Sequence, residues 1–344
     1  MVKSSNRYGG VFVSLFVLSV IVTLFSIRFG AIIITWSDIS SAFGKLVSSP
    51  DELTLTERIF LDIRLPRALA CVVVGASLAM SGVLMQALFR NPIVEPGLIG
   101  TSSGAAFGAA LYFVLGATFK FNAGTWTLPI AASLGGTLAT VIVFLLSRNK
   151  AEGRSSVISL LLTGIAVNAI FLSGVGFLSY IARDPQARSI TFWNLGTLSG
   201  ANWNSFTIIL ISSVGCLLFA LRETKYLNAL MMGEEEAHLL GVNIKRLQIK
   251  IMAINIILVA VATAFVGVIS FVGLIVPHLL RLAKGSDNRY LIISSAMLGG
   301  ILLSLADLTA RLALAPAELP IGIVTSVVGV PVFIFLLRRN QYYF

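Results

Sequence analysis

The stretch RLQIKIMAINIILVAVATAFVGVISFVGLIVPHLLRLA, residues 246–283, is too long and too apolar for a single membrane crossing. Roughly 20 helical residues cross a hydrocarbon core about 30 Å thick. Arg246 begins the stretch and Lys284 follows it, and cationic residues favour the cytoplasmic side. Both ends are therefore predicted to be cytoplasmic, so the chain crosses and returns. We expect the short return arm to be broken near Gly273 and Pro277, enclosed by protein.

The rest of the chain contains further apolar runs of crossing length. They lie at about 10–34, 68–89, 98–119, 126–147, 156–181, 204–221, 290–314 and 319–337. Lys3 and Arg7 place the N-terminus in the cytoplasm, and Arg338 and Arg339 do the same for the C-terminus. The sequence therefore predicts an all-α integral membrane protein. It has ten transmembrane helices, both termini cytoplasmic, and one transmembrane domain over residues 1–344.

Composition supports a membrane protein and argues against nucleic acid as a partner. The chain is 57% hydrophobic and 12% charged, with a mean hydropathy of +0.93. A soluble domain has about 45–50% apolar and about 25% charged residues. The net charge of +10 comes from residues between the apolar runs, where they act as topology signals. Cys71 and Cys216 lie inside apolar runs and are predicted to be small buried hydrophobes.

Several catalytic and ligand-binding motifs are missing from the sequence. There is no GxxxxGK[ST] phosphate loop, no HExxH, no GxSxG and no Cys-x-x-Cys. His278 is the single histidine in a predicted span, which disfavours a membrane cytochrome with paired haem ligands. The carboxylates Glu95, Asp307 and Glu318 lie near span ends, and a proton-coupled secondary carrier usually has deeper ones. We therefore expect a transport subunit that receives its energy from a separate protein and is not itself an enzyme.

One acidic island, MMGEEEAHLLGVN at residues 231–243, interrupts this apolar chain in a predicted cytoplasmic connection. We predict that Asn228 caps a short helix through Met232, that Gly233 permits a bend, and that Gly241 ends a second short helix. The island is interpreted as a docking element for a cytoplasmic partner. The alternative is a solvated loop with incidental charge.

Together, several motifs resemble one family of permeases. The island is similar to a pattern close to LGEE-x-A-x-x-LGV, and the other matching segments are RLPR at 64–67, MQALFRNPIVEPGLIGTSSGA at 85–105, ISFVGLIVPHLLRL at 269–282 and ADLTARLALAPAELPIGIVTSVVGVPVFIFLL at 306–337. This set resembles the permease subunits of iron-chelate, haem and cobalamin ABC importers, the FecCD-type or type II importers. The resemblance implies a homodimeric permease in a bacterial inner membrane. It also implies two cytoplasmic ATPase subunits that use ATP, and a periplasmic binding protein.

The same resemblance implies roles for individual residues. The coupling segment, at about 228–241, would contact the ATPase through Gly233, Glu234, Glu235, Glu236, His238, Leu239, Leu240 and Gly241. Outward-facing arginines would receive acidic residues of the binding protein: Arg64, Arg67 and Arg311. A cytoplasmic gate would comprise Asn91, Ile93, Ser155 and Ser156. The pathway would be lined by Asn168, Ser173, Gly174, Gly176, Tyr180, Arg183 and Arg188.

The cargo is less constrained than the family. The segment ARDPQARSITFWNLGTLSGANW, residues 182–203, resembles the outer connection of haem permeases more than that of cobalamin permeases. Haem is a flat apolar plate with two carboxylates, so Arg183 and Arg188 near the outer mouth would suit it. Ordinary loop charge remains the alternative for these arginines. Haem is the expected cargo, with ferric siderophores and cobalamin as alternatives. No permanently bound cofactor or metal is expected.

Overall fold

The computed structural model describes residues 8–30, 32–48, 50–118, 124–147 and 157–339. Within these ranges the chain folds into α-helices joined by short connections. The helices are α1 (Gly9–Arg28), α2 (Trp36–Ser48), α3 (Leu55–Arg58), α4 (Leu65–Leu88), α5 (Thr101–Thr118), α6 (Thr127–Leu146), α7 (Val157–Ile181), α8 (Asp184–Asn194), α9 (Trp203–Leu230), α10 (Glu234–Leu239), α11 (Ile244–Val266), α12 (Val272–Lys284), α13 (Asn288–Leu312) and α14 (Ile321–Arg339).

The predicted all-α architecture is confirmed. In the described part of the chain, ten helices occupy the predicted spans: α1, α4, α5, α6, α7, α9, α11, α12, α13 and α14. Seven of these helical segments are long and apolar enough to cross a membrane, and α5 and α14 are shorter apolar helices. The remaining one, α12, has 13 residues. At about 1.5 Å per residue it is too short to cross a hydrocarbon core of about 30 Å.

The return arm is broken, as predicted, but at a different place. The chain leaves the helical conformation between α11 and α12, where Gly267 has a φ of 74° and Phe271 a φ of 70°. Gly273 and Pro277 lie inside α12, so the prediction of a break beside them was wrong. Proline cannot donate to the carbonyl four residues earlier, here Gly273. Gln86 of α4 compensates, because its Nε2 donates to the carbonyl oxygens of Gly273 and Leu274 at 3.3 and 3.2 Å.

Neighbouring segments provide hydrogen-bond partners for peptide groups at both ends of the break. The N–H of Thr197 donates to the Val266 carbonyl at 2.8 Å. The N–H of Phe271 donates to the Glu95 carboxylate at 2.9 Å. Non-helical backbone at membrane depth is stable only when its polar groups have such partners.

Helix α4 forms the centre of the bundle. Every residue from Ser77 to Leu88 is buried, and α9, α11, α12 and α13 pack around it. A helix that is covered on all sides belongs in the core of a bundle. Gly82 permits the closest approach, because a Cβ at this position would overlap the carbonyl of Gly273 in α12. Small residues at helix contacts promote tight packing in lipid.

A buried polar network connects four of the central helices. The Ser81 hydroxyl of α4 donates to the Asn255 side chain of α11. Asn255 donates to Thr101 of α5 at 3.4 Å, and Thr101 lies 2.8 Å from the Thr140 hydroxyl of α6. Interhelical hydrogen bonds of this kind contribute about 0.6 kcal/mol each on average in membrane bundles.

The bundle has two distinguishable ends. At the end that holds α10, which we call the island end, Tyr8 stacks on Tyr290 with ring centroids 4.5 Å apart. The opposite end, which we call the arginine end, holds the last turn of α1, the start of α4 and the C-terminal turn of α13. The side of the membrane on which each end lies, and the location of the termini, stay predictions.

The connection between α1 and α4 is more structured than the sequence analysis anticipated. Helix α2 begins with a capping box, in which Thr35 Oγ1 accepts from the Asp38 N–H at 3.2 Å and Asp38 accepts from the Thr35 N–H at 2.8 Å. Helix α3 then continues through a π-helical stretch, Ile59–Arg64, directly into α4. An apolar cluster that includes Ile34, Ala42 and Phe60 holds this connection against the bundle.

Candidate functional site

The acidic island folds as one short helix held between two glycines. Gly233 precedes α10 with a φ of 143°, and Gly241 follows it with a φ of 80°. The Gly241 N–H donates to the His238 carbonyl and the Val242 N–H to the Ala237 carbonyl, each at 2.9 Å. This paired arrangement is the Schellman motif, which favours glycine at the position of Gly241. The predicted bend and stop are both present.

The first half of the predicted coupling segment differs from the prediction. Asn228 lies inside α9, which continues to Leu230, so residues 228–241 contain one short helix and not two. The helix continues because Thr224, Leu227 and Leu230 are buried at a spacing of three residues. Asn228 caps another element instead, because its Oδ1 accepts from the N–H of Asn288 at 3.0 Å.

Apolar side chains of this segment are exposed. Leu239 is 86% exposed, Leu240 is 64% exposed and Met232 is 69% exposed. We call these three residues the coupling patch. Large side chains that are exposed next to one another in sequence, on a segment whose backbone is fixed, are typical of a protein contact surface. The ATPase-coupling role of Gly233 to Gly241 stays a prediction.

An ion pair connects α10 to the connection between α4 and α5. Arg90 Nη2 lies 3.6 Å from Glu234 Oε1, with both side chains partly exposed. Arg90 has a φ of 47°, in the left-handed region that non-glycine residues rarely adopt. This fixed geometry joins α10 to the segment 89–100.

Two of the four predicted gate residues, Asn91 and Ile93, lie in the same connection. The Asn91 side chain accepts from the N–H of Ile93 at 3.0 Å, and Ile93 is 40% exposed. Ser155 and Ser156 lie outside the described residues. Beyond Ile93, Glu95 accepts from the N–H of Phe271 at the break. The connection 89–100 therefore contacts α10 through one residue and the broken helix through another.

The predicted pathway residues of α7 divide between two faces. Asn168 donates to the Leu98 carbonyl at 2.9 Å and accepts from Ser103 at 2.5 Å, and Gly174 lies against the ring of Phe107. These two positions pack within the subunit. The other predicted positions are exposed on the opposite side of the helix: Ser173, Gly176 and Tyr180, the last with 88% exposure. Their spacing of three and four residues places them on one face.

The arginines predicted near the outer mouth flank α8. Arg183 immediately precedes this helix and Arg188 lies within it. Both residues are exposed. The Arg183 N–H donates to the Gln186 side chain at 2.9 Å, which begins the helix.

The three arginines that the resemblance assigns to binding-protein docking are buried in the subunit, and their docking role stays a prediction. Arg64, Arg67 and Arg311 are 8%, 7% and 5% exposed. Arg67 donates to Asp307 at 2.8 Å and to Glu318 at 2.9 Å. We call Arg64, Arg67, Asp307, Arg311 and Glu318 the arginine cluster.

The remaining contacts of the cluster bind the end of α1. Arg311 donates to Asp307 and to the Phe29 carbonyl, both at 2.8 Å. Arg64 donates to the carbonyl oxygens of Phe29 at 2.7 Å and Ile32 at 2.9 Å. The guanidinium groups are thus engaged within the chain, and a partner's acid could reach them only by displacing these contacts.

Sequence reasoning missed the partners that bury these arginines. The spacing of Asp307 and Arg311 by four residues on one helix was an available signal. The pairing of Arg67 with Asp307 joins residues 240 positions apart and has no local signature. The contact between Arg90 and Glu234 was missed for the same reason.

The described part of the chain shows no metal-binding cluster, and both cysteines are free thiols. Cys71 and Cys216 are free and buried, as predicted. Among the described residues, no group of three or more His, Cys, Asp or Glu side chains is placed to hold a metal ion.

Comparisons with known proteins identify similar chains. The model of the FecCD transport family matches residues 17–339. A hemin transport system permease, HmuU of Yersinia pestis, is 41% identical over 283 residues, which are 82% of this chain and 84% of that protein. A vitamin B12 import system permease, BtuC of Pectobacterium atrosepticum, is 39% identical over 280 residues, 81% of this chain and 82% of that one. A metal-chelate-type ABC transporter solved in an inward-facing conformation has a TM-score of 0.84 at 32% identity, covering 97% of this chain and 100% of that one.

Proposed function

The chain belongs to the FecCD transport family and is a multi-pass permease of an ABC importer, and from this premise we propose that it carries haem across the bacterial inner membrane. Two copies would enclose the path, two cytoplasmic ATPase subunits would supply the energy, and a periplasmic binding protein would deliver the cargo. The permease itself would hold no nucleotide site and no permanent cofactor.

The exposed coupling patch is the observation that carries the ATPase contact. Met232, Leu239 and Leu240 are exposed on a segment whose conformation is fixed by Gly233 and Gly241. The island end would then face the cytoplasm. An ATPase groove could bury these side chains, and movement of the groove would displace α10. Such movement alters the path only if the contact differs between the conformational states of the transporter.

The gate would respond through the connection 89–100. Arg90 joins it to α10, Asn91 and Ile93 lie next along the chain, and Glu95 holds the backbone of Phe271 at the break. A displacement of α10 would thus reach both the gate residues and the broken helix. Ser155 and Ser156 would complete the gate at the start of α7.

The exposed face of α7 would line the path. Ser173, Gly176 and Tyr180 share that face, and a second copy of the chain would close the path around it. Small side chains leave room for a wide cargo, and Tyr180 adds an aromatic surface. Asn168 and Gly174 would act indirectly, by fixing α7 against α5 and the segment before it.

Haem is favoured as cargo by the identity to HmuU and by the charge at the mouth. Arg183 and Arg188 are exposed beside α8, where they could pair with the two carboxylates of haem. Cobalamin is the second candidate, because BtuC is nearly as similar to this chain. A ferric siderophore is a third candidate within the family, whereas membership of an ABC importer family argues against a secondary carrier that works without ATP.

Uptake into proteoliposomes tests the proposal. The permease would be reconstituted with its ATPase and binding protein, and haem, cobalamin and a ferric siderophore would be supplied separately. We expect ATP-dependent uptake of haem, and reduced haem uptake when Arg183 and Arg188 are both replaced by glutamine. Arg58→Gln, an exposed arginine outside the proposed path, is the matched control. Uptake of cobalamin or siderophore without haem would contradict the choice of cargo.

A further inference from the structure

An open groove lies on the surface between α1 and the first residue of α2. It has a volume of about 120 Å³ and is lined by Ile21, Leu24, Phe25, Arg28 and Trp36. The four residues from α1 follow a spacing of three and four positions and therefore share one face of that helix. Ile21, Leu24 and Phe25 are 44%, 40% and 53% exposed. The groove is thus lined by apolar side chains and one cationic side chain.

Within the part of the chain that the structure describes, Arg28 contacts aromatic rings and no acid. Its guanidinium carbon lies 5.5 Å from the ring centroid of Phe29 and 5.5 Å from that of Trp36. Its Nε is buried and has no hydrogen-bond partner among the described residues. Asp38, the next acid along the chain, is engaged by the backbone and hydroxyl of Thr35 at 2.8 and 2.6 Å. The Arg28 side chain as a whole is only half-buried and lines the groove, so an acceptor from outside the chain can approach this cation from the groove side.

The groove lies at the depth of lipid headgroups whichever way the protein faces. Helix α1 has 20 residues, and Arg28 is its last. At about 1.5 Å per residue the helix extends about 30 Å, the thickness of the hydrocarbon core. Tryptophan and arginine are enriched where that core ends, because their polar atoms reach the interface.

We propose that one phospholipid molecule binds this groove, with an acyl chain along Ile21, Leu24 and Phe25 and its phosphate on Arg28. A phosphodiester is the anion that a bilayer presents at this depth, and an arginine–phosphate hydrogen bond is charge-assisted. Trp36 would cover the glycerol region from the side of α2. The groove itself offers no carboxylate, so a second protein copy docked through the same residues would leave Arg28 without a counter-charge.

Native mass spectrometry of the purified full chain can test this proposal. The protein would be titrated with phosphatidylglycerol, and separately with diacylglycerol, which has the same chains and no phosphate. We expect one phosphatidylglycerol per chain to bind at least about tenfold more weakly in Arg28→Gln, as loss of a charge-assisted hydrogen bond predicts. Leu24→Trp, which fills the groove and keeps Arg28, should also weaken that binding. Arg58→Gln, an exposed arginine of α3 outside the groove, should bind like the wild type.

The other outcomes overturn the proposal in distinct ways. Equal binding of phosphatidylglycerol to wild type and both groove variants places the lipid elsewhere. Equal binding of diacylglycerol removes the role of the phosphate. Displacement of the lipid by inorganic phosphate alone indicates a free-anion site. A loss of dimer in Arg28→Gln, with lipid binding unchanged, assigns the groove to a second copy. If Arg28→Gln fails to fold, Leu24→Trp still tests whether the lipid lies in the groove. The comparison of the two lipids on the wild type still tests whether the phosphate is needed.

Discussion

At the arginine end, Asp307 is fully buried between Arg67 and Arg311, whereas at the island end Glu234 keeps 42% of its side chain exposed beside Arg90. The first arrangement has short contacts of 2.8 Å and several partners, and the second has one contact of 3.6 Å. Buried charges are stable only while they are fully paired, but exposed pairs exchange partners at little cost. The arginine end is thus a fixed connection, and the island end can change its contacts.

The largest effect should come from opening the arginine cluster. Arg67→Met leaves Asp307 buried with Arg311 as its remaining cationic partner, and frees Glu318. Removing one member of a buried ionic group costs about 3–5 kcal/mol. We expect the free energy of unfolding in detergent to fall by about that amount, measured by denaturant titration. The exposed control Arg58→Met should change it by less than about 0.5 kcal/mol.

The same variant tests whether the cluster serves docking instead. If Arg67→Met were as stable as the wild type and yet lost affinity for the binding protein, the predicted docking role of Arg67 would be supported. Loss of stability without any change in the affinity of the folded fraction supports the structural role.

Arg64 should have a smaller effect than Arg67. It contacts the backbone carbonyls of Phe29 and Ile32 and no carboxylate, so its loss leaves no buried acid unpaired. Hydrogen bonds from a charged donor contribute about 1.5–3 kcal/mol. Arg64→Met should lower the free energy of unfolding by an amount in that range, with local loosening of residues 29–35 in hydrogen exchange. If the free energy of unfolding fell as much in Arg64→Met as in Arg67→Met, the effect would come from removing any positive charge of the cluster and not from leaving a carboxylate unpaired.

A substitution in the coupling patch should weaken assembly with the ATPase and leave the stability of the permease unchanged. Leu240→Asp places a charge in the proposed contact, and Leu240 is 64% exposed, so the isolated permease should unfold as before. We expect the affinity for the ATPase to fall by about 1–2 kcal/mol, the range of an ordinary apolar interface residue. Co-purification and uptake in one preparation would measure this. The exposed Leu55 of the α3 region supplies the control variant, Leu55→Asp. Normal assembly of Leu240→Asp would make the island a solvated loop.

These regions also separate what the sequence could predict from what it could not. Apolar runs and flanking charges predicted the spans because both are local properties, and Gly233 and Gly241 carried a local signal for the bend and stop. The burial of Arg67 depends on Asp307, which the fold brings from 240 positions away. The exposed pairing of Arg90 with Glu234 is equally non-local. The resemblance assigned roles to Arg67 and Glu234 but did not reveal the contacts that hold them.

The continuation of α9 shows a second limit of prediction from the sequence. A run of polar residues after position 221 predicted the end of a span, because hydropathy reports the membrane and not the helix. The helix continues to Leu230, since Leu227 and Leu230 are still buried after the apolar run stops. Hydropathy therefore located the crossing correctly and the helix end incorrectly.

The smallest effect should come from the ion pair between Arg90 and Glu234, and it decides how the two ends differ in function. The pair is partly exposed at 3.6 Å, so a double-mutant cycle with Arg90→Gln and Glu234→Gln should give a coupling free energy of only about 0.2–1 kcal/mol for unfolding. Uptake per ATP hydrolysed should respond more strongly, because α10 would lose its side-chain connection to the segment that carries Asn91 and Ile93. The matched control is the pair of Glu223 and Lys250, in which the lysine is exposed; it joins α9 to α11 and does not reach that segment. If both cycles change uptake per ATP equally, the island end transmits motion through its packing alone. If only the Arg90 cycle does, the weak pair is the connection between the ATPase contact and the gate.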